Sequence, residues 1–176
     1  GGGSNVLIAD EGFAGLVLRV AVRGVASRAK DTAVIVTAGA GEEWDEFVAE
    51  CVRQDLAGVE CLSGIPGLVG GTPVQNVGAY GQEVSETITG VRAYDRHERR
   101  VVELSNAACE FSYRHSIFNS TARERYVVLA VTYTLRPHGA PSVLYPDVKK
   151  FFAERAVPPS LLEVREAVRT IRARKS

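Results

Sequence analysis

The chain of 176 residues is 45% hydrophobic and 24% charged, which is enough to bury an ordinary core but not enough to build several full domains. Lys plus Arg and Asp plus Glu both total 21, so the formal charges cancel. The chain therefore lacks the excess of basic residues with which nucleic-acid-binding proteins bind the phosphate backbone. We therefore predict one compact domain with part of another, and no nucleic-acid partner.

The cysteines and histidines give no sign of a disulfide framework or a metal site. Cys51, Cys61 and Cys109 are widely separated and contain no C-x-x-C pair, and the histidines at 97, 115 and 138 have no partner at ligand spacing. No apolar run approaches the roughly 20 residues that a membrane span needs, and the N-terminus carries no signal pattern. These features predict a cytoplasmic protein with no metal and no membrane partner. They do not decide the oligomeric state, for which a monomer is the expectation.

The first half of the chain predicts strands and one helix. It opens on the cluster Gly1-Gly2-Gly3-Ser4-Asn5 without an initiator Met, so we interpret it as a piece of a longer protein, with a flexible linker as the alternative. β-Like runs lie at residues 6–9, 15–20 and 33–38. Apolar residues from Trp44 to Val52 then recur with helical spacing, which predicts a helix with one buried stripe.

The second half predicts a hairpin, a long strand and a capped helix. Residues 88–94 and 100–104 flank a charged turn, which predicts a hairpin. Residues 127–135 have the alternation of a strand, and both of its faces carry apolar residues, which indicates that both faces are covered. Ser160 followed by Glu163 forms a capping box after Pro158-Pro159. The mixture predicts an α+β class, and the double proline predicts a domain boundary.

Between these halves, Cys61 to Gln82 contains six glycines and no charged side chain. Glycines let a ligand approach the main chain, and their N–H groups can neutralise a phosphate without Lys or Arg. Gln75 and Asn76 add amide groups, and Tyr80 adds a flat face with a polar tip. Tight turns are the alternative for any single glycine, but the uncharged cluster as a whole favours ligand binding.

The cluster at residues 1–5 offers the same backbone chemistry, with Ser4 and Asn5 as donors. The chain has no G-x-x-x-x-G-K-[ST] motif, and the two glycine clusters do not form the single strand–turn–helix unit that a Rossmann fingerprint requires. A nucleotide cofactor held by two separate loops remains.

Four segments together resemble the UDP-N-acetylenolpyruvoylglucosamine reductases of peptidoglycan synthesis: residues 1–7, 39–44, 64–81 and 111–118. The resemblance implies the flavoprotein fold of the vanillyl-alcohol-oxidase type, in which two α+β subdomains hold non-covalent FAD. On this basis we expect residues 1–22 to end the first subdomain, residues 23–155 to form the second, and residues 156–176 to begin a substrate-binding domain. Covalent attachment of FAD through Cys61, beside the main loop, is the less favoured alternative.

The resemblance also implies a reaction, in which NADPH reduces FAD and the flavin then reduces the enolpyruvyl group of the UDP-sugar to give UDP-N-acetylmuramate. Arg114 matches the family's catalytic arginine, which lies against the substrate carboxylate. The proton-donating Ser and second acidic Glu of the family fall beyond the matched residues. We therefore expect the polypeptide as given to bind flavin poorly and not to turn over.

The resemblance assigns further residues to two ligands. The predicted substrate contacts are Tyr80, Tyr113, Arg114, Tyr145 and Lys175. The predicted cofactor contacts are Gly2, Gly3, Ser4, Asn5, Gly64, Ile65, Pro66, Gly67, Gly70, Gly71, Thr72, Gln75, Asn76, Gly78, Ala79 and Tyr80.

Two other functions remain open from the sequence. The chain could be a non-catalytic FAD-binding module, or an oxidase or dehydrogenase of the same flavin fold that acts on another substrate. Arg114 distinguishes a reductase from the non-catalytic module, because a module that only binds flavin has no need of a cation at that place.

Overall fold

The computed structural model describes residues 7–175. Its strands are β1 (Val25–Lys30), β2 (Ala33–Gly39), β3 (Leu56–Ala57), β4 (Gly78–Ala79), β5 (Gln82–Glu83), β6 (Ile88–Asp95), β7 (Arg100–Ser105) and β8 (Tyr126–Pro137). Its α-helices are α1 (Trp44–Arg53), α2 (Pro146–Phe151) and α3 (Leu161–Ala173). The predicted α+β class and the predicted strand at residues 33–38, helix, hairpin and long strand are confirmed.

One antiparallel sheet organises these elements, with strand order β1-β2-β8-β6-β7 and β3 paired to the far end of β8. The separate hairpin β4–β5 lies outside this sheet. β8 is the central strand, and none of its residues from 126 to 135 is exposed, as the apolar residues on both of its faces predict. The pairing of β6 with β8 is irregular between Arg92 and Ala93. On one side of this point Val128 is the buried residue of β8, and on the other side the buried residues are Val131, Tyr133 and Leu135.

Helix α1 packs its apolar stripe against β8. The rings of Trp44 and Phe47 lie 6.0 Å and 5.0 Å from the ring of Tyr133. Trp44 is 1% exposed, and its indole N–H donates to the carbonyl of Leu62 at 2.9 Å. The prediction that this tryptophan belongs to the core is therefore confirmed, and its polar edge holds the segment that leads into the glycine-rich region.

The predicted strands at residues 6–9 and 15–20 are wrong for the part that the structure describes. Residues 7–9 and 15–20 have no regular secondary structure, and Leu7, Leu16 and Leu18 are 100%, 80% and 78% exposed. Strand propensity stabilises a strand only when a neighbouring strand completes its hydrogen bonds and covers one face. Within residues 7–175 no neighbouring strand pairs with these residues, and of the two segments Val20 alone packs against the core.

Helix α3 begins as predicted, with Ser160 and Glu163 forming the capping box. Its residues Leu161, Val164, Val168 and Ile171 are buried, and Leu161 joins the same core as Trp44. The domain division at the double proline stays a prediction. None of the helices in residues 7–175 has the length and apolar character to cross a membrane.

The β6–β7 turn is held by a buried carboxylate. Asp95 is 1% exposed, and its Oδ1 accepts from the backbone N–H groups of His97 and Glu98. Its Oδ2 accepts from Nε and Nη2 of Arg125 at 3.0 and 2.7 Å. The hydrogen bonds from Arg125, opposed by desolvation, lower the pKa of Asp95 to about 2. This lowered pKa makes the stability of the fold depend on pH at the acidic end.

We expect Asp95→Asn to flatten the acid limb of the stability profile. A carboxyl group whose pKa is lowered on folding stabilises the fold above its unfolded pKa, about 3.9, and that contribution is lost as the pH falls towards 2. The free energy of unfolding, measured by urea denaturation between pH 7 and pH 2, should therefore fall less steeply below about pH 4 in the variant. Asp31→Asn, in the exposed β1–β2 turn, is the control, and equal steepness for Asp95→Asn and wild type would contradict the prediction.

Candidate functional site

The glycine-rich segment is fixed to the turn that precedes α1. The N–H of Trp44 donates to the carbonyl of Gly67 at 3.0 Å, and the N–H of Val69 donates to the carbonyl of Glu42 at 2.9 Å. A third bond runs from the N–H of Gly70 to the carbonyl of Ala40 at 2.9 Å. The structure therefore brings together two of the matched segments, residues 39–44 and 64–81, which are separated in sequence by α1 and β3.

The glycines of this segment serve different purposes. A Cβ added to Gly70 would lie 2.6 Å from the Cβ of Ala40, and one added to Gly78 would lie 2.9 Å from Cγ of Glu83, so these two glycines allow close packing. At Gly67 and Gly71 an added Cβ would meet no atom within 4 Å. Gly71 is also exposed, so open space lies beside the backbone there and a ligand can approach it.

Backbone donors are available on the same loop. Within residues 7–175, the N–H groups of Ile65 and Gly67 have no hydrogen-bond acceptor. Pro66 between them is exposed, and Gly67 has a φ of +124°, which a residue with a side chain rarely adopts. Free N–H groups on an uncharged glycine loop form a site for an anion such as a diphosphate.

The side chains of two predicted cofactor contacts, Thr72 and Asn76, form hydrogen bonds within the protein. The hydroxyl of Thr72 donates to the carbonyl of Val69 at 2.8 Å and lies 3.0 Å from the hydroxyl of Tyr133. The amide of Asn76 donates to Glu83 and to the carbonyl of Ser112 and accepts from a backbone N–H. Both residues are buried, so their side chains brace the loop, and only their backbones remain for a ligand.

Gln75 and Ala79 are half-buried on the same loop. Cys61, beside it, is fully buried, and its thiol contacts the carbonyl of Ser142 at 3.2 Å. Burial raises the pKa of Cys61 to about 12, which leaves it a poor nucleophile for covalent attachment of a cofactor. The predicted contacts at Gly2, Gly3, Ser4 and Asn5 lie outside the described residues.

Tyr80 sits on a strained turn. It joins β4 to β5 together with Gly81, and both residues have positive φ, +49° and +81°, as a type I′ hairpin turn requires. Tyrosine is a poor choice for that position, whereas asparagine or glycine would relieve the strain. Strain of this kind clusters at functional sites, and here it presents the Tyr80 ring, edge to face, 5.3 Å from the ring of Tyr145.

Arg114 sits on a second strained turn. Ser112 and His115 exchange backbone hydrogen bonds of 3.1 and 3.0 Å around Tyr113 and Arg114, and Arg114 has a φ of +55°. The side-chain amide of Asn119 donates to the carbonyl of Arg114 at 3.1 Å and so secures the turn. Exposed turn residues of this chain such as Arg99 and Glu124 share this left-handed conformation, so what distinguishes the Arg114 turn is that Asn119 and the Ser112–His115 bonds hold it.

The two turns meet at Gly78. The guanidinium of Arg114 donates to the carbonyl of Gly78 at 3.3 Å while the side chain remains exposed. Tyr113 beside it is 81% exposed. An exposed cation therefore lies against the glycine loop, two residues in sequence from Tyr80.

Lys175 lies near the tyrosine pair. Its ammonium group donates to Asp147 of α2 at 2.6 Å, and this hydrogen bond raises the pKa of Lys175, to which Tyr145 and Tyr80 also contribute. A cavity of about 330 Å³ opens beside this ion pair between α2 and α3. The residues that line it are Asp147, Lys150, Phe151, Ile171, Arg174 and Lys175. Tyr80 and Tyr145 are not among the residues that line this cavity, so the structure places Lys175 near the two rings without enclosing all three in one pocket.

Sequence reasoning missed a buried carboxylate beneath the tyrosine pair. Glu60 is completely buried and accepts hydrogen bonds from the N–H of Gly58, the amide of Gln82 and the N–H of Ser142, at 2.7, 2.8 and 2.8 Å. It ties the hairpin that carries Tyr80 to the segment that leads to Tyr145. No spacing in the sequence signals this, because its partners lie up to 82 residues away.

Sequence reasoning also missed an ion pair between Asp45 of α1 and Arg165 of α3. Arg165 interrupts the apolar stripe of its helix next to Val164, which is the one signal that the sequence offered. Burial acts to raise the pKa of Asp45, but the hydrogen bonds from Arg165 and from the N–H of Gly64 outweigh it, and the pKa is lowered. The carboxylate is therefore charged and joins α3 to the start of the glycine loop.

The chain matches known flavoprotein sequences over its whole length. A family profile described as FAD binding domain matches residues 1–105. The UDP-N-acetylenolpyruvoylglucosamine reductase of Thermobifida fusca is 47% identical over 178 residues, which is 99% of this chain and 49% of the relative. The corresponding enzyme of Neisseria meningitidis serogroup B is 42% identical over 175 residues, 98% of this chain and 50% of the relative.

The fold has a counterpart among solved structures. The crystal structure of the UDP-N-acetylenolpyruvylglucosamine reductase (MurB) from Thermus caldophilus matches with a TM-score of 0.57 and 24% identity, over 79% of this chain and 42% of that one. The chain spans about half the length of the curated relatives it matches. The resemblance inferred from the four sequence segments, and the flavoprotein fold that it implied, are confirmed.

Proposed function

This chain belongs to the FAD-binding domain family, and from that premise we propose that it is the flavin-binding part of a UDP-N-acetylenolpyruvoylglucosamine reductase. The proposed reaction is the NADPH-dependent reduction of UDP-N-acetylglucosamine enolpyruvate to UDP-N-acetylmuramate in peptidoglycan precursor synthesis. The observation that carries this proposal is the exposed guanidinium of Arg114, held by a strained turn against Gly78 of the glycine loop.

The residues of the glycine loop fit FAD. The free N–H groups of Ile65 and Gly67 would hold its diphosphate, and the open backbone at Gly71 leaves room for it to approach. The loop contains no charged side chain, so the neutralisation comes from main-chain dipoles. Bound FAD would supply the redox chemistry, taking a hydride from NADPH and passing it to the double bond of the substrate.

Arg114 has the properties that the substrate side of this reaction needs. Hydride addition to the enolpyruvyl group builds negative charge next to its carboxylate, and a permanently charged, planar guanidinium can bind that carboxylate at two points. Because the turn fixes the arginine before substrate binds, little reorganisation is needed when the charge develops. We assign Arg114 this catalytic role.

The tyrosines and Lys175 suit the rest of the substrate. Tyr113 extends the exposed surface next to Arg114, while Tyr80 and Tyr145 form an aromatic wall beside Lys175. A wall of this kind packs against a sugar or a base, and an ammonium group meets a phosphate. The assignment of these residues stays a prediction, as do the monomeric state and the cytoplasmic location.

Because the polypeptide as given is expected to bind flavin poorly and not to turn over, the first experiment uses the protein produced at the length of the relatives that it matches. It is a visible absorption spectrum of that purified protein, loaded with FAD and titrated with NADPH without oxygen. We expect bound flavin that bleaches with NADPH and recovers its colour when UDP-N-acetylglucosamine enolpyruvate is added. Free FAD at the same concentration, treated in the same way, is the control for reduction in solution.

Other outcomes of this experiment point to other functions. Flavin that binds but stays oxidised would favour a non-catalytic FAD-binding module. Reduction by an alcohol or sugar substrate instead of NADPH, with rapid oxygen consumption, would favour an oxidase of the same fold. A protein that takes up no FAD would contradict the proposed function altogether.

A further inference from the structure

Asp45 and Arg165 meet beneath the glycine loop, although they are 120 residues apart in sequence. The guanidinium donates to both carboxylate oxygens, from Nη1 to Oδ1 at 2.6 Å and from Nη2 to Oδ2 at 2.9 Å. The side chain of Arg165 is 9% exposed and that of Asp45 is 34% exposed. A parallel, two-point pair of this kind fixes the orientation of the carboxylate as well as its position.

The oriented carboxylate also holds the first residue of the loop. Oδ1 of Asp45, the oxygen that Nη1 of Arg165 contacts, accepts the backbone N–H of Gly64 at 2.6 Å. Gly64 has a φ of +72° and begins the turn that ends at Gly67. One oxygen atom therefore links helix α3 to the backbone of the turn that presents the free N–H groups.

Helix α3 also lies directly against Gly64. A Cβ built on Gly64 would lie 3.4 Å from Cδ of Arg172 and 3.6 Å from Cγ of Arg169. A buried ion pair at such a contact is not needed for stability, because apolar side chains of similar volume stabilise such a position as well or better. The pair does what apolar residues cannot do, since it fixes the direction of a hydrogen-bond acceptor.

We propose that Arg165 is a positioning residue for the flavin loop, which acts through Asp45 on the N–H of Gly64, so that the docking of α3 sets the affinity for FAD. Without Arg165 the carboxylate turns towards solvent and the N–H of Gly64 loses its acceptor. The turn must then be ordered when FAD binds, and that cost lowers the affinity. The inference rests on the proposed flavin-binding role of residues 64–67.

The test is a double-mutant cycle on the dissociation constant for FAD, measured by the quenching of flavin fluorescence. We expect Asp45→Ala and Arg165→Met each to weaken FAD binding about tenfold, the effect of one charge-assisted hydrogen bond. The double variant should bind FAD as Asp45→Ala does, because the guanidinium of Arg165 acts on the loop through its two hydrogen bonds to Asp45. The amide of Gly64 should also exchange its hydrogen faster in both single variants.

A matched control is available at the far end of the β6–β7 hairpin. Asp95 and Arg125 form another ion pair with a buried carboxylate and two guanidinium hydrogen bonds, here both to Oδ2, so Asp95→Ala and Arg125→Met remove a charge pair away from the loop. These variants should lower the melting temperature but leave both the FAD dissociation constant and the exchange of Gly64 unchanged. If Arg165→Met does not fold, Arg165→Lys keeps the charge without the two-point geometry and should weaken FAD binding about threefold.

The outcomes separate this inference from the proposed function. Wild-type protein that binds FAD while the Asp45 and Arg165 variants bind it equally well would overturn the inference alone. Additive effects in the double variant, or the same loss in the Asp95 control, would also overturn it. Wild-type protein that binds no FAD would overturn both.

Discussion

In protein produced at the length of its relatives, replacing Arg114 with alanine is expected to lower kcat by about 10²–10³-fold while leaving the bound FAD in place. Among residues 7–175, the guanidinium makes one hydrogen bond, to the carbonyl of Gly78, and one ring contact, with Tyr113, so its loss should disturb the loop little. Alanine in the same left-handed conformation carries a backbone cost similar to that of arginine, which should keep the melting temperature nearly unchanged. The measurements are NADPH oxidation with the UDP-sugar substrate and the FAD dissociation constant.

Two further variants sharpen this test. Arg114→Lys keeps the positive charge but not the planar two-point geometry, so it should recover only part of the lost kcat. Arg123→Ala removes an exposed arginine from the following turn and should have no effect. Full activity in Arg114→Ala would rule out the proposed catalytic role, and loss of FAD from that variant would show that Arg114 supports the cofactor site instead.

Gly71→Leu is expected to weaken FAD binding by about 100-fold, or about 2.8 kcal/mol, without lowering the melting temperature. An added Cβ at Gly71 meets no protein atom within 4 Å, so the fold has room for a side chain there. The same open space is where the cofactor is proposed to approach the backbone, and a leucine would fill it. Gly71→Ala should give a smaller loss, and both values come from FAD titration together with thermal unfolding.

Gly90→Ala is the control for this prediction. Gly90 lies on β6, away from the loop, and an added Cβ would sit at an ordinary 3.9 Å from its nearest neighbours. It should change neither the stability nor the FAD dissociation constant appreciably. Unchanged FAD binding in Gly71→Leu would mean that the cofactor does not pass this face of the loop.

The regular elements were largely predictable because their signals are local. The helical stripe from Trp44, the alternation along β8 and the capping box at Ser160 depend on residues a few positions apart, and all three are confirmed. The strands predicted at residues 6–9 and 15–20 show the limit of this reasoning. A strand also needs a partner, and apolar alternation does not reveal whether one is present.

What the sequence alone determined is that the long glycine-rich segment carries no charge, which limits a phosphate ligand there to backbone and uncharged side-chain donors. Which donors remain available was decided only by the tertiary structure, which uses the side chains of Thr72 and Asn76 internally and leaves the N–H groups of Ile65 and Gly67 free. The pairing of Asp45 with Arg165 was likewise decided only by the tertiary structure. Glycine content and periodicity are properties of neighbouring residues, whereas the partner of a hydrogen-bonding group is fixed by packing between segments that are distant in sequence.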